Sequence, residues 1–336
     1  MVTPDVEVVR SERQPPFVQR VLLLKAAINV LRALLVAATA ISFFVLWSFN
    51  PTAGRFLFVL LPLLALASFA SARAALIPWS VYIVGFLIFV DLRMISAEIL
   101  FPPRYDYVIE LTRFLFAGNI DVVLLQSAFY EPGSADALDQ LLIGVHISFF
   151  IVPHLMAIVL WVGKRSLFKR YVTALVGTCW FALIVAFLLP TAPPWLAGLE
   201  GRIEPVHRVM QEVMSLGAGI DYEAGTRVVG ENDVAAMPSL HTALTVLVAL
   251  AMCRFGKVAA GFGWAYAGAM MLALIYLGEH YAVDIIAGAA SALMFWHIAR
   301  RLEPDQPSDV FGRSASDAGA VLFRHQNAIA GKRNGR

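Results

Sequence analysis

Charge is scarce in this 336-residue chain: Asp, Glu, Lys and Arg make up 15% of it, against 59% hydrophobic residues and a mean hydropathy of +0.72. Soluble domains average about 25% charged and about 45–50% apolar residues, so this balance excludes a soluble globular protein and requires an integral membrane protein. The net charge is only +2, and no lysine- or arginine-dense block interleaved with aromatics occurs. Nucleic acid is therefore not an expected partner. Cysteine is nearly absent: Cys179 and Cys253 stand far apart in apolar stretches and can form no disulfide framework, zinc cluster or CxxC redox pair. Internal repeats, low-complexity tracts and metal-ligand spacings are missing too, so neither a metal nor another cofactor is expected.

Long apolar runs, by contrast, are abundant. A helix needs about 20 mostly apolar residues to cross about 30 Å of hydrocarbon at a rise of 1.5 Å per residue. Eight stretches qualify: 26–48, 55–72, 75–96, 141–162, 171–190, 238–254, 257–277 and 281–300. The expected fold is all-α, a polytopic membrane bundle of about eight transmembrane helices. The second and third runs are separated only by Ser71-Ala72-Arg73-Ala74, with Pro78 near the start of the third. The first run is too long for a signal-peptide core and reads as a retained anchor. With the N-terminus inside, 18 of the 26 lysines and arginines fall on the inner side and seven on the outer, so the positive-inside rule places both termini in the cytoplasm.

The chain divides into a cytoplasmic N-terminal segment (1–25), N-terminal helices with an outer interfacial segment (26–140), a helical core (141–300) and a polar cytoplasmic tail (301–336). Two outer segments, 97–140 and 191–237, have room for structure outside the membrane. Tyr107 to Leu125 carries apolar residues at helical spacing and fits the membrane interface. Pro190-Thr191-Ala192-Pro193-Pro194-Trp195 reads as too proline-rich for helix, with Trp195 suited to the headgroup level.

Ionisable residues beside a bilayer are functional candidates by default, and two clusters stand out. In Ala236-Met237-Pro238-Ser239-Leu240-His241, Pro238 and Ser239 form a helix start, which puts His241 in the first turn of a span. In Glu279-His280-Tyr281-Ala282-Val283-Asp284, His280 and Asp284 are four residues apart and share a helical face, so the carboxylate can orient the imidazole. The crossings between them bring both clusters to the outer side. An oriented imidazole beside a second histidine is what covalent phosphoryl transfer requires, a nucleophile and a general acid. Helix N-termini add N–H donors suited to a phosphate. His146, His154 and His297 read as packed or hydrogen-bonded residues.

Pro-Ser-Leu-His at 238–241, followed by His-Tyr-Ala-Val-Asp at 280–284, resembles the second and third signature motifs of the type 2 phosphatidic acid phosphatase superfamily. The resemblance implies that His241 is the acid/base, His280 the nucleophile and Asp284 its orienting partner. Pro190 to Leu196 and Ala236-Met237 are similar more narrowly to the branch containing the inositol phosphorylceramide synthases. The likeness covers roughly residues 140–300. It departs from the family pattern in two places: no Lys-x6-Arg-Pro lies near the site, since Lys25 and Arg32 are followed by Ala33 on the cytoplasmic side, and Leu274 stands where an arginine is expected. The phosphate must then be met by other cations, for which Arg93, Arg104, Arg113, Arg202, Arg208 and Arg227 are available. Arg93 and Arg202, with Ser239 and Tyr281 from the motifs, are the candidates for substrate contact.

The expected function is a lipid phosphotransferase that moves a phosphoryl-containing head group between a lipid and an alcohol of inositol or sugar type through a phosphohistidine. A phosphatase using water is the alternative. The expected partners are a lipid phosphate or phospholipid and the membrane itself, with the site facing the periplasm or exterior of a plasma membrane. A transporter would place its charges at the midplane within paired broken helices, which this sequence does not. A catalytically silent scaffold would not need all three motif residues.

Overall fold

The computed structural model describes residues 72–93, 101–218 and 232–304. The first two expected spans, Lys25, Arg32, Arg227, the N-terminal segment and nearly all of the C-terminal tail lie outside them. The chain divides into units 1–79 and 80–336, and nearly all described residues belong to the second. The described structure is all-helical, with two isolated β-bridges.

Helix α1 covers Ala72–Arg93. Next come α2 (Asp106–Leu115) and α3 (Asp121–Phe129). The single helical run expected from Tyr107 to Leu125 is thus two helices. They part at a turn where Ala117 and Gly118 take φ of 52° and 93°, a conformation that interrupts any right-handed helix.

Helices α4 (Ala137–Ser148) and α5 (Val152–Gly163) replace the expected 141–162 span and meet at a bend of 50°. Pro153, in the first turn of α5, has no N–H for the Phe149 carbonyl and crowds it, so one straight helix cannot pass through. Helix α6 (Arg165–Leu188) begins six residues before the expected 171 and takes the basic cluster into its first turns. There Arg170 is buried, and its Nε and Nη2 donate to the Glu303 carbonyl at 3.2 and 2.9 Å.

After the short α7 (Pro194–Leu199) and α8 (Val209–Ala218) come α9 (Leu240–Met252), continued by a 3-10 turn over Cys253–Phe255, then α10 (Lys257–Tyr276) and α11 (Ala282–Leu302). Helices α6, α10 and α11 are each long and apolar enough to cross a membrane, and the bent α4–α5 pair makes a fourth if taken as one span. Helix α9 packs against α6, α10 and α11, and α11 also packs on α6. Helix α1 joins through Gly85, whose carbonyl accepts from Trp180 Nε1 at 3.1 Å.

The expectation of no helix around Pro190–Trp195 holds only up to Pro193. Pro194 opens α7, because proline in a first turn sacrifices no helical hydrogen bond. Upstream, Thr191 N–H donates to Val234 O at 2.7 Å and Ala236 N–H to Thr191 O at 3.1 Å, while Arg104 N–H donates to Pro190 O at 2.7 Å. Trp195 N–H donates to Gly278 O at 3.1 Å. These bonds gather four connecting segments, those of Arg104, Thr191, Val234 and Gly278, over one end of the bundle. Under them lies an apolar cluster that includes Val108, Ile120, Val122, Ala197, Met237 and Tyr281.

Candidate active site

Both histidine clusters open helices. Ser239, in extended conformation, caps α9 by accepting from the Thr242 amide at 3.3 Å, which leaves His241 in the first turn. Tyr281 precedes α11, and Asp284 reaches back to accept the Tyr281 N–H at 3.0 Å. The two helix starts are joined directly: Ser239 N–H donates to the Asp284 carbonyl at 3.1 Å. This approach depends on Gly288, where a Cβ would stand 2.3 Å from the Ser239 carbonyl oxygen.

The joined ends face a cavity of about 280 Å³ lined by His241, His280, Glu279, His146, Arg93, Trp195, Asn232 and Asp233 on its polar side. Phe89, Phe149, Phe150, Leu183 and Phe187 make up much of its apolar side. The rings of His241 and His280 lie 5.8 Å apart, edge to face, and His241 is held from behind by His146 (4.6 Å, stacked) and Phe149 (4.1 Å). His280 Nδ1 is 3.6 Å from Asp284 Oδ2, within ion-pair range but longer than a hydrogen bond. A small rotation closes that gap, as catalytic contacts often tighten on substrate binding. His241 Nε2, His280 Nδ1, His146 Nδ1 and Asp284 Oδ1 are buried with no hydrogen-bond partner among the described residues. Such groups are costly to leave unpaired; His241, His280 and His146 line the cavity, and Asp284 stands behind His280.

The residues singled out from sequence separate in space. Arg93 lines the cavity. Ser239 is buried with its hydroxyl engaged in the α9 cap, and Tyr281 is fully buried in the apolar cluster; neither lines the cavity. Burial raises the Tyr281 phenol above its ordinary range, and the Asp284 and Asp121 charges push the same way. Arg202 lies outside the lining, half exposed, 3.9 Å from Glu200 and over the Tyr105 ring. Leu274 is buried in α10, its carbonyl accepting from the Glu279 and His280 amides. His154 is hydrogen-bonded to Tyr82, as a packed residue should be, whereas His297 is exposed on α11.

Two features escaped the sequence reading. His146 is packed, as expected, but against His241 at the cavity wall. Arg208, one of the six arginines available for the phosphate but not singled out beside Arg93 and Arg202, pairs with Glu279 at 3.1 Å and lies 4.2 Å over the Trp195 ring, with side chains of the pair only 12% and 11% exposed. Its partner adjoins His280 in sequence, which was the available signal.

Residues 137–298 match the family model of the PAP2 superfamily. The chain is 28% identical over 198 residues to an inositol phosphorylceramide synthase of Candida albicans, an alignment covering 55% of this chain and 40% of that protein. It is 32% identical over 156 residues to a phosphoinositol dihydroceramide synthase of Bacteroides thetaiotaomicron, covering 43% of this chain and 50% of the relative. The chain thus spans half or less of the length of these curated relatives. No solved structure matches it.

Proposed function

We propose that the protein is a membrane enzyme that transfers a phosphorus-containing head group from a phospholipid to an alcohol through a phosphohistidine on His280. The observation that carries this reading is the meeting of His280, backed by Asp284, with His241 across one cavity, 5.8 Å between rings. The similarity to two synthases whose names join phosphoinositol to a ceramide supports a polyol phosphate as the group moved and a ceramide-type lipid as the alcohol. The aromatic and aliphatic wall of the cavity suits lipid chains.

In the first step His280 Nε2 attacks phosphorus, since Nδ1 faces Asp284. The phosphorus–oxygen bond to the lipid alcohol breaks, and protonated His241 gives its proton to the leaving oxygen. In the second step the acceptor hydroxyl attacks phosphorus, neutral His241 takes its proton, and the phosphorus–nitrogen bond breaks to restore His280. Asp284 steadies the positive charge that His280 acquires. Arg93 and Arg208 are the cations we assign to the phosphoryl oxygens, with the N–H groups at the starts of α9 and α11. The spans unaccounted for by the described helices, cytoplasmic termini and a site facing the periplasm or exterior complete the proposal.

The test is phosphorus NMR of products after incubating the purified protein in detergent with phosphatidylinositol, phosphatidate and other phospholipids, with and without a short-chain ceramide or free inositol. A new phosphodiester that forms only with an acceptor, and is lost in His280→Ala and His241→Ala at unchanged folding, is expected. Inorganic phosphate without acceptor would make the protein a phosphatase. No product from folded wild type would overturn the enzymatic reading.

A further inference from the structure

None of the residues of α3 lines the cavity, yet this outer helix grips both flanks of the turn that carries His280. Asp121 is 4% exposed; its Oδ1 accepts from the Val122 amide at 2.9 Å and its Oδ2 from the Ala282 amide at 2.5 Å. Ala282 is the first residue of α11, and its N–H is among those that a helix start leaves without an intrahelical partner. Five residues along α3, Gln126 Nε2 donates to Tyr276 O at 2.9 Å and to His207 O at 2.8 Å, while its Oε1 accepts from His207 N–H at 2.9 Å. Tyr276 is the last residue of α10. The chain is therefore held at 276 and at 282, and the turn between contains Glu279 and His280.

The turn is held on its outer side as well. Gly278 has φ of +81°, and a Cβ there would stand 2.6 Å from the His207 carbonyl oxygen, so the backbone that Gln126 fixes lies directly against it. Asp284 has two demands on one carboxylate: its Oδ2 accepts the Tyr281 N–H at 3.0 Å and faces His280 Nδ1 at 3.6 Å. Asp121 takes the neighbouring Ala282 N–H. Without it, that amide would compete for Asp284, the other carboxylate at this helix start, and draw it from the imidazole.

We propose that Asp121 and Gln126 are positioning residues, and that α3 is an external brace fixing the 277–281 turn so that His280 stays aligned with both Asp284 and phosphorus. The proposal rests on His280 being the nucleophile. Misplacing a reacting group by about 1 Å lowers rate by about 100-fold, which sets the scale of the expected effect.

The test uses the full chain in detergent, with phosphatidylinositol and a fluorescent short-chain ceramide as probes, and amide hydrogen exchange read by mass spectrometry. Asp121→Ala should lower kcat by about 30- to 100-fold with KM within about threefold, and speed exchange across 277–284 while leaving α6 and α9 unchanged. Asp121→Asn keeps one acceptor oxygen and should recover most of that rate; Gln126→Ala should show a smaller loss of the same kind. Wild-type kcat and exchange in Asp121→Ala would overturn the brace, as would a general rise in exchange accompanied by equal changes in kcat and KM. Should Asp121→Ala not fold, Asp121→Asn and Gln126→Ala decide by the same criteria. His280→Ala separates the two ideas: an active variant sinks the nucleophile reading, whereas an inactive one beside a fully active Asp121→Ala sinks only the brace.

Discussion

Arg208 and Glu279 carry opposite charges into the same nearly dry corner, and their effects on an incoming phosphate should have opposite signs. A charge-assisted hydrogen bond contributes about 1.5–3 kcal/mol, and removing Arg208 would also leave the Glu279 carboxylate unpaired beside the anion. Arg208→Ala should therefore lower kcat/KM by about 100-fold, whereas Glu279→Gln, which removes a negative charge beside the anion, should leave kcat/KM unchanged or raise it; steady-state kinetics of the two singles and the double measure the coupling. Asp121 gives a pH signature. Burial raises its carboxyl to about 6, the Ala282 and Val122 amides pull it down, and the Asp284 charge pushes it up. Because the folded-state value lies above the unfolded one, its contribution to stability is fully present below about pH 4 and is lost as pH rises through about 6. Thermal unfolding at pH 4.5 and 7.5 should show wild type losing stability relative to Asp121→Asn by about 2 kcal/mol; parallel behaviour of the two proteins would refute it. His241, His280 and Asp284 were legible in the sequence because their spacing is local to helix starts. Asp121, Gln126 and Arg208 were not, because their partners lie 161, 150 and 71 residues away, where no periodicity points.

At the scale of elements, the joint between α9 and α11 is the feature on which the site depends. It consists of one backbone hydrogen bond and one missing side chain: Ser239 N–H to Asp284 O, and Gly288 beneath Ser239 O. A methyl group at 288 meets backbone at 2.3 Å, which cannot swing aside as a side chain would. Gly288→Ala should force the two helix starts apart, destabilise the protein by about 1–3 kcal/mol and lower kcat at least tenfold, on the order expected for a misplaced catalytic pair. Gly268→Ala on α10 is the control, since nothing lies within 4 Å of its added Cβ; helix propensity makes it neutral or stabilising by up to about 1 kcal/mol. Equal losses in both variants would show that helix substitution alone, rather than the joint, limits the enzyme. Hydrophobic runs located α1, α9, α10 and α11 to within about three residues, because apolar length is a strong signal, but put the start of α6 six residues late and took α9 for a full span when its 13 residues fall short of one. The split of α2 from α3 and the bend between α4 and α5 were missed because runs of apolar residues continue across both, although Pro153 and Gly118 mark them.

For the whole molecule, charge distinguishes the two ends of the described bundle. The histidine-bearing helix starts, the bridging loops and α3 lie together at one end. Helix ends at the other carry Lys164, Arg254, Lys257, Arg300 and Arg301, and some of this charge is built into the packing: Lys164 Nζ donates to the Arg254 carbonyl at 2.7 Å, and Arg170 holds Glu303 O at the end of α11. Arg254, Arg300 and Arg301 lie in the last turns of their helices, where cations complement the unpaired carbonyls, so these three are tied to structure as well as to topology. Since lysines and arginines are retained on the cytoplasmic side, the cavity end should face outward, and an impermeant thiol reagent can test this with one native and one introduced cysteine. Cys253 is exposed at the basic end, while Cys179 is buried in α6 and should not react. Ala135 is exposed in the loop before α4, at the cavity end. In intact cells the reagent should label Ala135→Cys in a Cys253→Ser background and leave wild-type Cys253 untouched; inverted vesicles should reverse the pattern. Labelling of Cys253 from outside would turn the bundle over and place the phosphoryl chemistry on the cytoplasmic leaflet, because the helix starts that carry His241 and His280 cannot change ends without the helices that hold them.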